Sequence, residues 1–185
     1  AGLDAKAIKS EKKEIPSVHY LSGDDFILGE LVPRLRELDD IPSPYLTGMM
    51  DPFFEKDVSV LIQRTRGCPF SCTFCMEGTA YYNKVRKFSA KRFAEEFLYC
   101  AERLAGKSGR RSLFHIADAN FGMFPDDIEV ATSISEIRKE YLWPRKIEVP
   151  TGKNKRDRVL KVVNIINEHS EDAVIRLTAS VQSTD

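Results

Sequence analysis

The chain has 185 residues, 42% of them hydrophobic, with 28 basic and 28 acidic side chains and no formal net charge. That length gives one domain, or one domain plus a piece of another, and the apolar share suffices for a core. Zero net charge excludes a dedicated nucleic-acid or membrane-surface binder, both of which work through a basic excess, and no uncharged run approaches the roughly eighteen residues of a membrane-crossing helix.

Residues 1–57 show weak periodicity. A charged start (Lys6, Lys9, Glu11, Lys12, Lys13, Glu14) gives way to a stretch punctuated by Pro16, Pro33, Pro42, Pro44 and Pro52. Gly23-Asp24-Asp25 is a turn sequence, so a short strand or hairpin is expected around Phe26–Leu28, with linker-like, irregular structure elsewhere. Ile41-Pro42-Ser43-Pro44 must be extended, because a residue preceding proline avoids the helical region. From Val58 the pattern changes. Val58-Ser59-Val60-Leu61-Ile62 is short, apolar and β-branched, the composition of a strand, and a cysteine-rich loop follows it. Ser89 is placed to cap a helix carrying Phe93, Ala94, Phe97, Leu98, Ala101 and Leu104 at helical spacing, with Gly106 just past its end. Ser112–Ala117 reads as a second strand. Pro125 suits the first turn of a helix bearing Ile128, Ala131, Ile134, Ile137 and Tyr141. Lys146–Val149 is a third strand, Asp157–His169 a third helix with Val159, Leu160, Val162, Val163 and Ile166 inward, and Ala173–Val181 a fourth strand. The order β-α-β-α-β-α-β predicts an α/β fold with a parallel sheet and right-handed crossovers.

The chemistry concentrates in Arg64-Thr65-Arg66-Gly67-Cys68-Pro69-Phe70-Ser71-Cys72-Thr73-Phe74-Cys75. Three of the four cysteines fall within eight residues, which is a metal-site pattern in a reducing compartment and not a disulfide framework. Thiolates are soft ligands suited to iron–sulfur clusters or zinc. A structural zinc normally closes with four protein ligands, and only three are local here; Cys100, inside an amphipathic helix, reads as a packed thiol. Three ligands on a cubane cluster leave one iron free for chemistry. The rival is a non-enzymatic binding module stabilised by zinc or an iron–sulfur centre. Gly106-Lys107-Ser108 is no phosphate loop, since it ends a helix and lacks the first glycine.

C-x3-C-x-aromatic-C after a first strand resembles the radical S-adenosylmethionine (SAM) superfamily. The resemblance implies a [4Fe-4S] cluster held by Cys68, Cys72 and Cys75, its open iron chelating SAM, and reductive cleavage of SAM to methionine and a 5′-deoxyadenosyl radical. It carries Phe74 over as the residue whose backbone lies near adenine. Phe70 and Phe74 are expected to shield the sulfurs, and Arg64 and Arg66 to meet the cluster's charge or an acidic electron donor, or simply to be solvated. Asp118 and Asn120, in Ala117-Asp118-Ala119-Asn120-Phe121-Gly122, stand where superfamily members bind the methionine end of SAM, although the common Gly-Gly-Glu is missing. Gln182 or Ser183 would meet the ribose. Thr151, Lys153 and Asn154 share that rim.

Asp-x-Asn-Phe, with Leu38-Asp39-Asp40-Ile41-Pro42-Ser43-Pro44-Tyr45-Leu46-Thr47-Gly48 upstream, resembles the cobalamin-associated branch, in which methyl transfer to an unactivated carbon is frequent. The resemblance implies a partial (β/α) TIM-like barrel of the radical SAM type, truncated to about four β/α units. Residues 1–57 would be the linker or tail of a preceding cobalamin-binding-like domain, and 58–185 the N-terminal part of the core. Cobalamin would serve the full-length protein without binding to this chain. The isolated chain is expected to be an inactive fragment of low stability. Its expected partners are a small-molecule or peptide substrate and an electron donor such as flavodoxin or ferredoxin, with no nucleic acid and no membrane. With no basic-then-apolar leader at the N-terminus, the expected location is cytoplasmic.

Overall fold

In the computed structural model, residues 4–152 and 154–176 are described. The chain divides into two units, Ala1–Arg36 and Glu37–Asp185. In the first, Asp4 caps a short helix α1 (Ala5–Ser10) by accepting from the Lys6 N–H at 3.0 Å. Strands β1 (His19–Ser22) and β2 (Asp25–Leu28) pair antiparallel, with Ser22 opposite Asp25. Only Gly23 and Asp24 connect them, and Gly23 takes φ +63°, which glycine adopts without steric penalty. The Tyr20 hydroxyl donates to the Lys13 carbonyl (2.8 Å) and the Ser22 hydroxyl to the Lys9 carbonyl (2.7 Å), so polar bonds hold this hairpin against α1.

The second unit starts irregular, as the prolines dictate, with a 3-10 turn at Leu38–Asp40 and a short helix α2 (Asp51–Phe54). Tyr45 and Phe54 are nevertheless buried and stack at a 6.4 Å centroid distance. The parallel sheet has the order β3 (Val60–Ile62), β6 (Leu113–Ile116), β7 (Lys146–Glu148). Ile175 bridges Ile147 in the same parallel sense, at the start of the expected fourth strand; positions 177–181 of that strand lie outside the described residues. Each new strand is thus added beside its predecessor. Between them run α3 (Ala90–Leu104), α4 (Asp127–Tyr141) and α5 (Arg156–Asn167), with α3 packed on α4 and α4 on α5. This is a partial β/α fold of the expected order; closure into a barrel is not seen among the described residues.

Alternation sets which sheet face is sealed. Val60, Ile62, Phe114, Ile116 and Ile147 are buried with the helices in one core, whereas Leu61 is 54% exposed. The core's centre is aromatic: Phe97 lies 5.0 Å from Phe114 and 5.3 Å from Trp143, ring centre to ring centre. Such tilted and edge-on pairs add to the apolar area the rings bury. The Trp143 indole N–H, buried with the rings, donates to the Arg111 carbonyl at 2.7 Å. The Ser89 hydroxyl caps α3 by accepting from the Arg92 N–H, and Gly106 takes φ +74° just past the helix end. The segment before the sheet is stapled to the same helix: Ser89 N–H donates to Asp39 and the Arg92 guanidinium to the Ile41 carbonyl. Leu160, expected inward on α5, is half-buried, while Val159, Val162, Val163 and Ile166 are buried.

Candidate metal centre

The cysteine loop leaves the sheet immediately after β3. Its base is a two-residue antiparallel pair, β4 (Thr65–Arg66) against β5 (Arg86–Lys87). Inside it the backbone closes on itself. Cys68 N–H donates to Tyr82 O (3.0 Å), Cys75 N–H to Cys72 O (3.1 Å) and Gly78 N–H to Cys75 O (3.0 Å), the last in a 3-10 turn at Met76–Gly78. Two glycines permit this. Gly67 sits at φ +92°, and a Cβ there would lie 2.5 Å from the Tyr82 carbonyl oxygen. A Cβ on Gly78 would lie 2.3 Å from the Cys72 carbonyl oxygen. Neither position accepts a side chain without moving backbone.

Cys68, Cys72 and Cys75 are free thiols, the first half-buried and the other two exposed. Among the described residues no three His, Cys, Asp or Glu side chains converge as ligands of one metal ion. Three soft thiol donors on one accessible loop are the ligand type that iron–sulfur clusters and zinc both take. Cys100 is fully buried within α3, and burial raises its thiol pKa; it is a packing residue. Phe74 departs from expectation. It is 70% exposed and shields no sulfur, because the loop is held by its own backbone bonds and turns this ring outward; Phe70 is half-buried.

Asp118 and Asn120 both reach the loop, from the end of β6. Asp118 is 1% exposed, and its Oδ1 accepts from the backbone N–H groups of Arg64 and Thr65, each at 2.8 Å. Its Oδ2 and the Thr65 hydroxyl are buried without hydrogen-bond partners among the described residues. Burial raises the Asp118 carboxyl pKa above its ordinary value, against the opposing pull of those N–H donors. Asn120 presents Nδ2 to Cys68 Sγ at 3.2 Å. Thr151 is buried and bridges Phe121, and Asn154 is exposed. Lys153, Gln182 and Ser183 lie outside the described residues.

A further feature ties the loop base to α4. Arg64, expected to face a cluster or solvent, is 2% exposed. Its guanidinium pairs with Asp126, and with Asp127 at 2.9 Å, at the start of α4. Lys87 reaches Asp126 at 2.6 Å. Burial pushes the Asp127 carboxyl up to about 6, while Asp126 is pulled down because the Lys87 and Arg64 hydrogen bonds together outweigh its burial. Both ends of the loop base are thereby tied to one helix. Adjacent acids after Pro125 were the available signal, but nothing local pairs them with an arginine more than 60 positions upstream.

No protein-family model matches the chain. Among curated proteins it is 37% identical over 177 residues to TokK of Streptomyces tokunonensis, named a cobalamin-dependent radical SAM methyltransferase, covering 92% of this chain and 25% of that protein. This chain belongs with the cobalamin-associated branch of the radical SAM superfamily. A 2-(S-pantetheinyl)-carbapenam-3-carboxylate methyltransferase of Streptantibioticus cattleyicolor is 35% identical over the same shares. The hopanoid C-3 methylase of Methylococcus capsulatus is 28% identical over 75% of this chain and 26% of its own length. The chain therefore spans about a quarter of the length of these relatives. No helix among the described residues is long and apolar enough to cross a membrane.

Proposed function

We propose that this chain is the cluster-bearing segment of a radical SAM methyltransferase, with Cys68, Cys72 and Cys75 as the cluster ligands. The observation that carries the reading is the set of three free thiols on the loop leaving the first parallel strand. One relative named a cobalamin-dependent radical SAM methyltransferase and another named a methyltransferase support it. The β/α succession is read as the opening half of a TIM-like barrel, whose chemistry lies at the C-terminal ends of its strands. Bound at the three sulfurs, a [4Fe-4S] cluster supplies the electron that cleaves SAM reductively, with cobalamin as the methyl carrier in the whole protein.

The chain's own residues then have assignable tasks. Asp118 holds the loop base through the Arg64 and Thr65 amides. Arg64 and Lys87 fix the same base to α4. Phe74, exposed beside Cys75, offers backbone and ring to the adenine of SAM, and Gln182 or Ser183 meets the ribose. A flavodoxin or ferredoxin would deliver the electron to the accessible loop, and a small molecule or peptide would accept the methyl group.

Anaerobic reconstitution followed by iron and sulfide analysis tests the proposal. About four irons and four sulfides per chain, lost on replacing any of the three cysteines by Ala, is the expected result, with 5′-deoxyadenosine formed from SAM under a strong reductant by the full-length protein. One tightly held zinc without sulfide would overturn it and leave a zinc-stabilised module.

A further inference from the structure

The contact between Asn120 Nδ2 and Cys68 Sγ, 3.2 Å long, joins two segments that other hydrogen bonds also hold. On the asparagine side, Phe121 is 1% exposed, and its N–H donates to Pro150 O at 3.1 Å while its carbonyl accepts from Gly152 N–H at 2.9 Å. Two residues before Asn120, Asp118 is bonded to the loop base. On the cysteine side, Gly67 and the Cys68–Tyr82 backbone bond set where the sulfur stands. A thiolate that ligates iron has no proton to give, so the contact is favourable only with the carboxamide NH2 as donor. Reduction of a cluster adds negative charge that is shared with its sulfurs. A donor aimed at one of them therefore stabilises the reduced state more than the oxidised one, and hydrogen bonds to sulfur are among the factors that set cluster potentials.

We propose that Asn120 donates a hydrogen bond to the cluster-ligating sulfur of Cys68 and raises the potential at which the cluster accepts its electron. The inference rests on the cluster reading above and makes Asn120 a positioning residue that acts through Cys68. It is tested on the oxygen-free, reconstituted protein by redox titration followed by electron paramagnetic resonance of the reduced cluster, comparing the parent with Asn120→Leu and Asn120→Asp. Both variants should retain iron and sulfide and show a more negative midpoint, Asp more than Leu because its carboxylate adds a repelling charge. At a solution potential near the parent midpoint, the reduced-to-oxidised ratio in Asn120→Leu should fall by about threefold, less than the full worth of one hydrogen bond to a charged acceptor because the bond is present in both oxidation states. Unchanged midpoints overturn the inference. Should the variants not assemble, the parent protein decides alone. With 15N in the asparagine side-chain amide, the reduced cluster should show a hyperfine coupling to that nitrogen, and its absence overturns the inference. A parent protein without iron and sulfide overturns the function proposal and this inference together, whereas a cluster-bearing parent indifferent to Asn120 overturns this inference alone.

Discussion

Asp118 shows how much a single carboxylate oxygen organises. Two main-chain N–H groups end on its Oδ1, and leaving a buried donor unsatisfied costs about 1–3 kcal/mol each. Asp118→Ala should therefore lower unfolding free energy by about 3 kcal/mol in urea titrations, and Asp118→Asn by less, since its amide oxygen still accepts. Arg64 makes a sharper case. Removing it leaves Asp127, with a side chain 1% exposed, as an unpaired buried charge, so Arg64→Leu should destabilise by about 3–5 kcal/mol. The double variant Arg64→Leu/Asp127→Asn should recover part of that loss, because Asn neutralises the charge and keeps an oxygen for the Phe124 N–H, bonded now at 2.9 Å. Equal losses in the single and double variants would contradict the account. Tyr45 supplies a pH test. Burial pushes its hydroxyl up to about 12. Below pH about 10 the folded and unfolded chains hold that proton equally; above it the unfolded chain ionises first, so stability falls as pH rises from about 10 towards 12, by roughly 2–3 kcal/mol. Tyr45→Phe should flatten that alkaline decline in denaturation curves recorded at successive pH values, while losing about 1 kcal/mol at neutral pH with the bond to Leu61 O.

At the scale of elements, the loop differs from the helices in what its sequence discloses. α3 was legible from both ends, since Ser89 caps it, Gly106 follows it, and Phe93, Phe97, Ala101 and Leu104 seal one face. A fifteen-residue helix carries its period several times over; the loop base, two residues on each side, carries none, and Arg86-Lys87 looks like a charge run until its partner strand is known. The burial of Arg64 is hidden from local sequence for a related reason: it depends on Asp126 and Asp127, far off along the chain. The clustering of three cysteines is plain in the sequence, and their role as cluster ligands rests on the family resemblance; the outward turn of Phe74 is not legible, because an aromatic beside cysteines reads as a cover. The glycines give the element-scale prediction. Gly67→Ala and Gly78→Ala each push a methyl into a backbone carbonyl, whereas a Cβ on Gly23 meets nothing within 4 Å. Limited proteolysis should cut faster within residues 67–85 in the first two variants, and at the parent rate there in Gly23→Ala.

For the molecule as a whole, alternation of apolar runs gave the strand order, and the sheet follows it strand by strand from β3 to Ile175. Less visible was how much of 38–57 is buried. Prolines mark that stretch as extended, but nothing local announces that Tyr45 and Phe54 join the central core. The sheet is also two-sided. Phe114 and Ile116 are sealed against the helices, while Leu61, His115 and Glu148, aligned across the three strands, stay open to varying degrees on the other side. Its mutational signature should be a comb. In a saturation library scored for folded protein, positions 114 and 116 would reject nearly every polar replacement and 113 and 115 would admit most, the tolerance rising and falling at every second codon of the strand.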